Sequence, residues 1–126
     1  MFDETLVKEI LPQIDCAIEK INRRFKPIYS SDDFLDTEAG QGVLDSICMQ
    51  LIAFGESLKN IDKVTNHEFL KKYPNIEWKK AKGLRDIITH HYFDLDAETV
   101  YDVCKNEIPK IDPIIKKMIK DLKSKP

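Results

Sequence analysis

The residues best suited to chemistry in this sequence form the segment Arg85-Asp86-Ile87-Ile88-Thr89-His90-His91-Tyr92. Within it, a permanent cation and a carboxylate precede an imidazole that titrates near neutral pH, and a phenol follows. An imidazole can move protons, and a guanidinium can stabilise negative charge on a pentacoordinate phosphorus. The segment therefore carries the groups needed to cleave a phosphodiester without a metal ion.

The spacing of these groups indicates how a helix would arrange them. Successive residues of a helix turn by about 100°, so Asp86 and His90, at positions i and i+4, lie on one face. The carboxylate of Asp86 is then expected to sit below the imidazole and to fix its orientation. Arg85 is offset by one residue, but its long side chain can reach the same groove. The same spacing also fits a surface ion pair beside a partly buried histidine, and spacing alone leaves both interpretations open.

Length and composition restrict the class of protein that positions this segment. A chain of 126 residues is large enough for one core, and 33% charged residues is typical of a well-solvated globular surface. No apolar run approaches the roughly 18 residues that span a bilayer, and residues 1–5 lack the features of a signal peptide. We expect a single domain over residues 1–126, without membrane contact and located in the cytoplasm.

Charge is unevenly distributed along the chain. The formal net charge is −2, whereas a protein that coats nucleic acid non-specifically is usually more basic. Residues 71–85 nevertheless carry six basic side chains against the single acid Glu77, and these are Lys71, Lys72, Lys79, Lys80, Lys82 and Arg85. Such a basic strip permits a phosphate-containing substrate, although solvated helix faces often have the same composition.

Metal and disulfide chemistry are not indicated. Cys16, Cys48 and Cys104 are widely spaced and odd in number, which favours small apolar residues in helix cores over a disulfide or zinc site. The sequence has no H-x-x-x-H or E-x-x-H pair and no carboxylate cluster with ligand spacing. We therefore expect neither a metal nor another cofactor.

Apolar residues recur at three- and four-residue steps through most of the chain, which predicts an all-α bundle of four to five helices. The predicted segments are residues 3–25, a second helix capped by Asp36 or Thr37 and ending near Asn60, a short piece at 66–72, Trp78 to about His91, and a last helix that begins near Ala97 behind an Asp94–Asp96 turn.

Prolines and one glycine add local expectations. Pro12 is expected to kink the first helix or to mark a late start, and Pro109 and Pro113 are expected to interrupt the last helix. Gly55 inside the second helix costs about 1 kcal/mol relative to alanine. Its presence predicts a close backbone contact with a neighbouring helix.

The segment Arg85 to Phe93 resembles the R-x-x-x-x-H-x-Y signature of the HepT-like branch of the HEPN ribonucleases. Trp78, Lys82-Gly83-Leu84, residues 93–96 and Phe54-Gly55-Glu56-Ser57 also match that family's pattern, so the resemblance covers most of residues 4–120. It implies an all-α, HEPN-like homodimer with an active cleft at the two-fold axis, acting as a metal-independent endoribonuclease on RNA. Arg85 and His90 take the catalytic positions, and His91 takes the variable one.

The resemblance further implies the toxin of a type II- or VII-like toxin–antitoxin pair. Its antitoxin would be an MNT-type minimal nucleotidyltransferase that transfers AMP to Tyr92. The family usually has asparagine after the arginine, whereas Asp86 cannot donate a hydrogen bond when ionised and would repel phosphate. Asp86 thus keeps an alternative open, a non-catalytic helical module that binds a nucleotidyltransferase or a nucleotide. Glu56 is a supporting candidate that either pairs with Arg85 or faces solvent.

Overall fold

The computed structural model describes residue 2 and residues 4–124, apart from the side chain of Tyr92, and this part of the chain is helical without any strand. The helices are α1 (Glu4–Phe25), α2 (Glu38–Val64), α3 (Trp78–His90), α4 (Ala97–Asp102) and α5 (Ile108–Lys123). Three 3-10 turns (Ser31–Phe34, Leu70–Lys72 and Tyr92–Asp94) lie between them, and a π-helical turn, Val103–Glu107, joins α4 to α5. The predicted all-α class is confirmed. None of the described helices is both long and apolar enough to cross a bilayer.

Side-chain caps define where two of these helices begin. The Thr37 hydroxyl accepts a hydrogen bond of 2.9 Å from the Gly40 amide at the start of α2. At the start of α4, Asp96 Oδ1 accepts a 3.0 Å hydrogen bond from the Glu98 amide. Each cap satisfies a backbone donor that the first helical turn leaves without an intrahelical partner. Both predicted helix starts are confirmed.

The second helix ends later than predicted. It continues to Val64 rather than Asn60, because Ile61 still lies on its buried face. The Thr65 hydroxyl then donates a 2.7 Å hydrogen bond to the Ile61 carbonyl and occupies an acceptor at the helix end. The extra turn matters for the rest of the molecule because it carries the buried carboxylate of Asp62.

Pro113 acts differently from expectation, and one of the two alternatives for Pro12 is excluded. Since α1 begins at Glu4 and contains Pro12, this proline does not mark a late start. Pro113 lies inside α5 and does not interrupt it. Pro109 lies in the first turn of α5, a position that proline tolerates. The irregularity of the last helix is the π-helical turn Val103–Glu107 directly before it.

The core forms where α2 packs between α1 and α3, with α5 covering the other side of α1. Its largest buried apolar groups on these elements include Leu11, Ile14, Ile18, Ile47, Leu51, Phe54, Leu58, Ile88 and Ile115. Cys48 and Cys104 are buried among them as predicted, but Cys16 is exposed. The prediction that Cys16 lies in a helix core was wrong, because Cys16 is not on the buried face of α1. Helix α3 packs mainly against α2, and its buried face carries Trp78, Ala81, Leu84 and Ile88.

Candidate active site

The site is built where α3 lies directly on α2. A Cβ atom added to Gly55 would be 3.0 Å from Arg85 Cβ and 3.1 Å from the Arg85 amide nitrogen. These distances are shorter than the ~3.5–4.0 Å of a comfortable carbon contact, so a side chain at position 55 would push α3 away. The predicted close backbone contact of Gly55 is confirmed, and its partner is the helix turn that carries Arg85.

Two carboxylates hold the Arg85 guanidinium from different sides. Its Nε lies 3.3 Å from Glu56 Oε2 on α2, and its Nη1 donates a 3.1 Å hydrogen bond to Asp86 Oδ1. Glu56 therefore contacts Arg85, as one alternative held, and half of its side chain also faces solvent, as the other held. The side chain of Arg85 remains 37% exposed. A guanidinium fixed in this way still offers forked donors to an anion.

Asp86 is ionised and balanced by two cations. Its Oδ2 accepts a 2.9 Å hydrogen bond from Lys59 Nζ, and its Oδ1 accepts the bond from Arg85. The hydrogen bond from Lys59 is the main cause that lowers the pKa of the Asp86 carboxyl, with the bond from Arg85 second. Sequence reasoning missed Lys59. Its place on α2 three residues after Glu56, hence on the same face, was the signal that pointed to it.

His90 is oriented by the main chain of Asp86. Its Nδ1 lies 2.8 Å from the Asp86 carbonyl oxygen, one helical turn earlier. Because a carbonyl oxygen only accepts, Nδ1 carries the hydrogen, and the neutral ring then has its lone pair on Nε2. The i, i+4 relation of Asp86 and His90 is present, but the predicted carboxylate–imidazole contact is wrong. Lys59 and Arg85 draw the carboxylate away from the imidazole towards α2.

Asp86 thus links the two predicted catalytic residues within one chain. Its carboxylate holds Arg85, and its carbonyl holds His90. Five residues of helix separate the two side chains by about 140° around the axis and about 7.5 Å along it, so they leave α3 in different directions. No group of three or more His, Cys, Asp or Glu side chains in the described residues is arranged to hold a metal ion.

The end of α3 carries the remaining motif residues. His91 is the C-cap residue of α3. The His91 Nδ1 atom lies 4.0 Å from Asp94 Oδ1, and 63% of the His91 side chain is exposed. Tyr92 opens the 3-10 turn Tyr92–Asp94, but its side chain lies outside the described part of the structure, so its modification stays a prediction. Ile87 and Phe93 are exposed large hydrophobic residues beside this end of the helix.

Comparison with known proteins gives consistent matches. Residues 14–118 match the family model described as "Ribonuclease HepT-like". "Putative RNase MJ0125" of Methanocaldococcus jannaschii is 41% identical over 78 residues, which is 62% of this chain and 62% of that protein. "Putative RNase MJ0127" of the same organism is 33% identical over 91 residues, covering 72% and 69% of the two chains.

A further relative aligns over nearly its full length. "Probable ribonuclease HepT" of Thermococcus cleftensis is 28% identical over 113 residues, which is 90% of this chain and 96% of the relative. For the first Methanocaldococcus relative the aligned part is only 62% of its length. No solved structure matches the chain significantly.

Proposed function

Because this chain belongs to the ribonuclease HepT-like family, we propose that it is a metal-independent endoribonuclease that cleaves RNA with Arg85 and His90. The observation that carries the proposal is the 2.8 Å contact of His90 Nδ1 with the Asp86 carbonyl. It orients the ring so that Nε2 is a free base at the exposed end of α3, about 7.5 Å along the helix axis from the position of Arg85.

The proposed reaction uses these groups in a transesterification. His90 Nε2 takes the proton of a ribose 2′-hydroxyl, and the 2′ oxygen attacks the adjacent phosphorus. The bond from phosphorus to the 5′ oxygen breaks, and the leaving oxygen takes a proton from water to give a 5′-hydroxyl end, while His90 returns its proton to the solvent. The other product end is a 2′,3′-cyclic phosphate. Arg85 stabilises the extra negative charge on the phosphorane in between.

We further propose that two copies pair so that their α3 helices meet at a two-fold axis. The angle of about 140° between Arg85 and His90 on one helix supports this, because a cleft between two copies can collect side chains that diverge within one copy. The exposed Ile87, which lies one turn before His90 on the open side of α3, supplies apolar surface for such a contact.

As control of this activity, we propose a toxin–antitoxin pair in which a minimal nucleotidyltransferase transfers AMP to Tyr92. Tyr92 follows the end of α3 by two residues, so an adenylyl group there would lie near His90 and obstruct RNA. Intact-mass measurement after co-expression with such an enzyme tests this. A gain of adenylyl mass that disappears in Tyr92→Phe supports it, and neutralisation without any mass gain contradicts it.

The decisive experiment for the activity is RNA cleavage in the presence of a chelator. The wild type is expected to leave cyclic phosphate ends, and His90→Ala is expected to lose about 100-fold or more of the rate, as removal of a general base does. His91→Ala is the matched control, since His91 is the adjacent, exposed imidazole. Cleavage by His90→Ala at the wild-type rate would refute the assignment.

One observation favours the second candidate, a non-catalytic module that binds a nucleotidyltransferase or a nucleotide. Arg85 already contacts two carboxylates, Glu56 and Asp86, and their charges oppose the approach of a phosphate. A purified wild type that cleaves no RNA under any of these conditions, but binds the nucleotidyltransferase through the α3 surface, would establish this function instead.

A further inference from the structure

A second cluster of charged groups lies at the end of α2, separate from the Arg85 network. Asp62 is 5% exposed, which is costly for a carboxylate unless it is paired. It accepts a hydrogen bond from Lys82 Nζ on α3, and the same Oδ2 lies 3.4 Å from His67 Nδ1. Its main-chain oxygen also accepts a 2.8 Å hydrogen bond from the His67 amide. Asp62 therefore holds His67 by both its side chain and its main chain.

The backbone at His67 adopts a conformation that favours glycine. Asn66 and His67 have φ values of 53° and 62°, and the Glu68 amide donates a 3.0 Å hydrogen bond to the Thr65 carbonyl. These features define a type I′ turn, in which asparagine followed by glycine is the preferred pair. A histidine at the second position costs stability, yet 69% of its side chain is exposed. Packing therefore does not explain the imidazole.

His67 borders a cavity whose lining combines apolar surface with positive charge. The cavity has a volume of about 330 Å³ and is lined by Leu70, Pro74 and Trp78 on its apolar side and by Asp62, His67, Lys71 and Lys82 on its polar side. The negative charge of Asp62 is already matched by Lys82. An apolar floor beside the ammonium group of Lys71 suits a ligand that has both a flat ring and a phosphate.

We infer that this cavity is a subsite for one nucleotide of the RNA, next to the phosphate that is cleaved; this inference rests on the proposed ribonuclease function. Lys82 precedes Arg85 on α3 by three residues, or about 4.5 Å of helix rise, so the cavity and the Arg85 guanidinium lie along one seam between α2 and α3. A strand bound at Arg85 places a neighbouring nucleotide over the cavity. Its base stacks on His67, and its phosphate is bound by Lys71.

Binding of an oligoribonucleotide that cannot be cleaved tests the subsite. A fluorescent 2′-O-methyl RNA has a blocked 2′ oxygen, so its anisotropy with the intact protein measures affinity alone. Lys71→Ala is expected to weaken binding about fivefold and to reduce the slope of log K against log salt by about 0.7, the value for one lost phosphate contact. Lys26→Ala is the matched control, because Lys26 is also exposed but follows α1 at the opposite end of α2.

His67→Gly separates the role of the imidazole from that of the fold. Glycine suits the left-handed backbone, so Tm is expected to stay the same or to rise, whereas loss of a stacked ring is expected to weaken RNA binding about fivefold or more with an unchanged salt slope.

Three outcomes are informative. Wild-type affinity in both Lys71→Ala and His67→Gly, with a wild type that cleaves RNA, overturns the subsite and leaves the proposed function intact. Equal weakening in Lys26→Ala also overturns it, since only overall charge would then matter. A wild type that neither cleaves nor binds RNA refutes the proposed function, and the subsite with it.

Discussion

Replacing Gly55 by alanine tests whether the contact between α2 and α3 positions Arg85. The new Cβ would lie 3.0 Å from Arg85 Cβ, 3.1 Å from the Arg85 amide nitrogen and 3.3 Å from the Lys82 carbonyl oxygen. Two of these three atoms are backbone, so rotation of a side chain cannot relieve the contact. Helix α3 must move outward by about 0.5 Å for the carbon–carbon distance to reach about 3.5 Å.

The size of the effect follows from two opposing terms. Overpacking costs about 1–3 kcal/mol, and alanine in place of glycine inside a helix contributes about 1 kcal/mol. The net loss of unfolding free energy is therefore about 0–2 kcal/mol, or a fall in Tm of at most about 8 °C. Misplacement of a catalytic group by about 1 Å can cost roughly 100-fold in rate, so a shift of about half that size predicts a loss of roughly tenfold.

Gly42→Ala is the matched control, because Gly42 lies on the same helix and a Cβ there meets no atom within 4 Å. It is expected to raise the unfolding free energy by about 1 kcal/mol and to leave cleavage unchanged. Thermal unfolding and chelator-resistant RNA cleavage are measured on both variants. A Gly55→Ala variant that gains as much stability as Gly42→Ala and cleaves RNA at the wild-type rate would show that the α2–α3 contact does not position Arg85.

Three further predictions, two substitutions and one labelling experiment, concern other contacts of the molecule. Asp86→Asn removes a carboxylate whose pKa is lowered chiefly by the Lys59 hydrogen bond and which is therefore charged at neutral pH. RNA affinity should rise and its salt slope should steepen by about 0.7 as Lys59 becomes free, while Glu9→Gln on α1 should change neither. Because the pKa of Asp86 is lowered, protonation of its carboxyl would raise RNA affinity only at a pH below about 4, the ordinary pKa of an aspartate. Burial raises the pKa of Cys48 to about 11 and of Cys104 to about 12, so a thiol reagent at pH 8 should label only Cys16 in the native protein; rapid labelling of a second thiol would contradict this. In Gly40→Ala the Cβ would overlap the Asp33 carbonyl oxygen, which predicts a loss of about 3 kcal/mol by urea unfolding, against a gain for Gly42→Ala.

Local signals in the sequence predicted the helices better than their interruptions. Thr37 and Asp96 cap helices as predicted, because a cap depends only on the few residues that follow it. Pro113 did not break α5, and α2 continued past Asn60. Both results depend on burial: apolar faces that pack against the bundle stabilise a helix beyond what its local propensities predict.

The site shows the same division between local and tertiary information. Gly55 was predicted to contact a neighbouring helix and does so, and pairing with Arg85 was one of the two alternatives for Glu56. The partner of His90 was predicted wrongly, because the choice between the carboxylate and the carbonyl of Asp86 depends on Lys59. Lys59 is 27 residues away along the chain. Helix periodicity predicts which residues share a face. It does not predict whether a neighbouring helix will bind the carboxylate of Asp86 and leave only the carbonyl for His90.

The charge of Asp86 has opposite effects on the two halves of the site. Its carboxylate is expected to oppose a phosphate, yet it also contacts Arg85 and is itself compensated by Lys59. Its carbonyl orients His90 whatever the side chain is, since every residue at this position of a helix offers the same oxygen. An asparagine would keep that contact and would leave Lys59 as an additional cation. Under the proposed function, aspartate is expected to weaken the binding of RNA more than it disturbs His90, so its effect should appear in the affinity for substrate rather than in the rate of the chemical step.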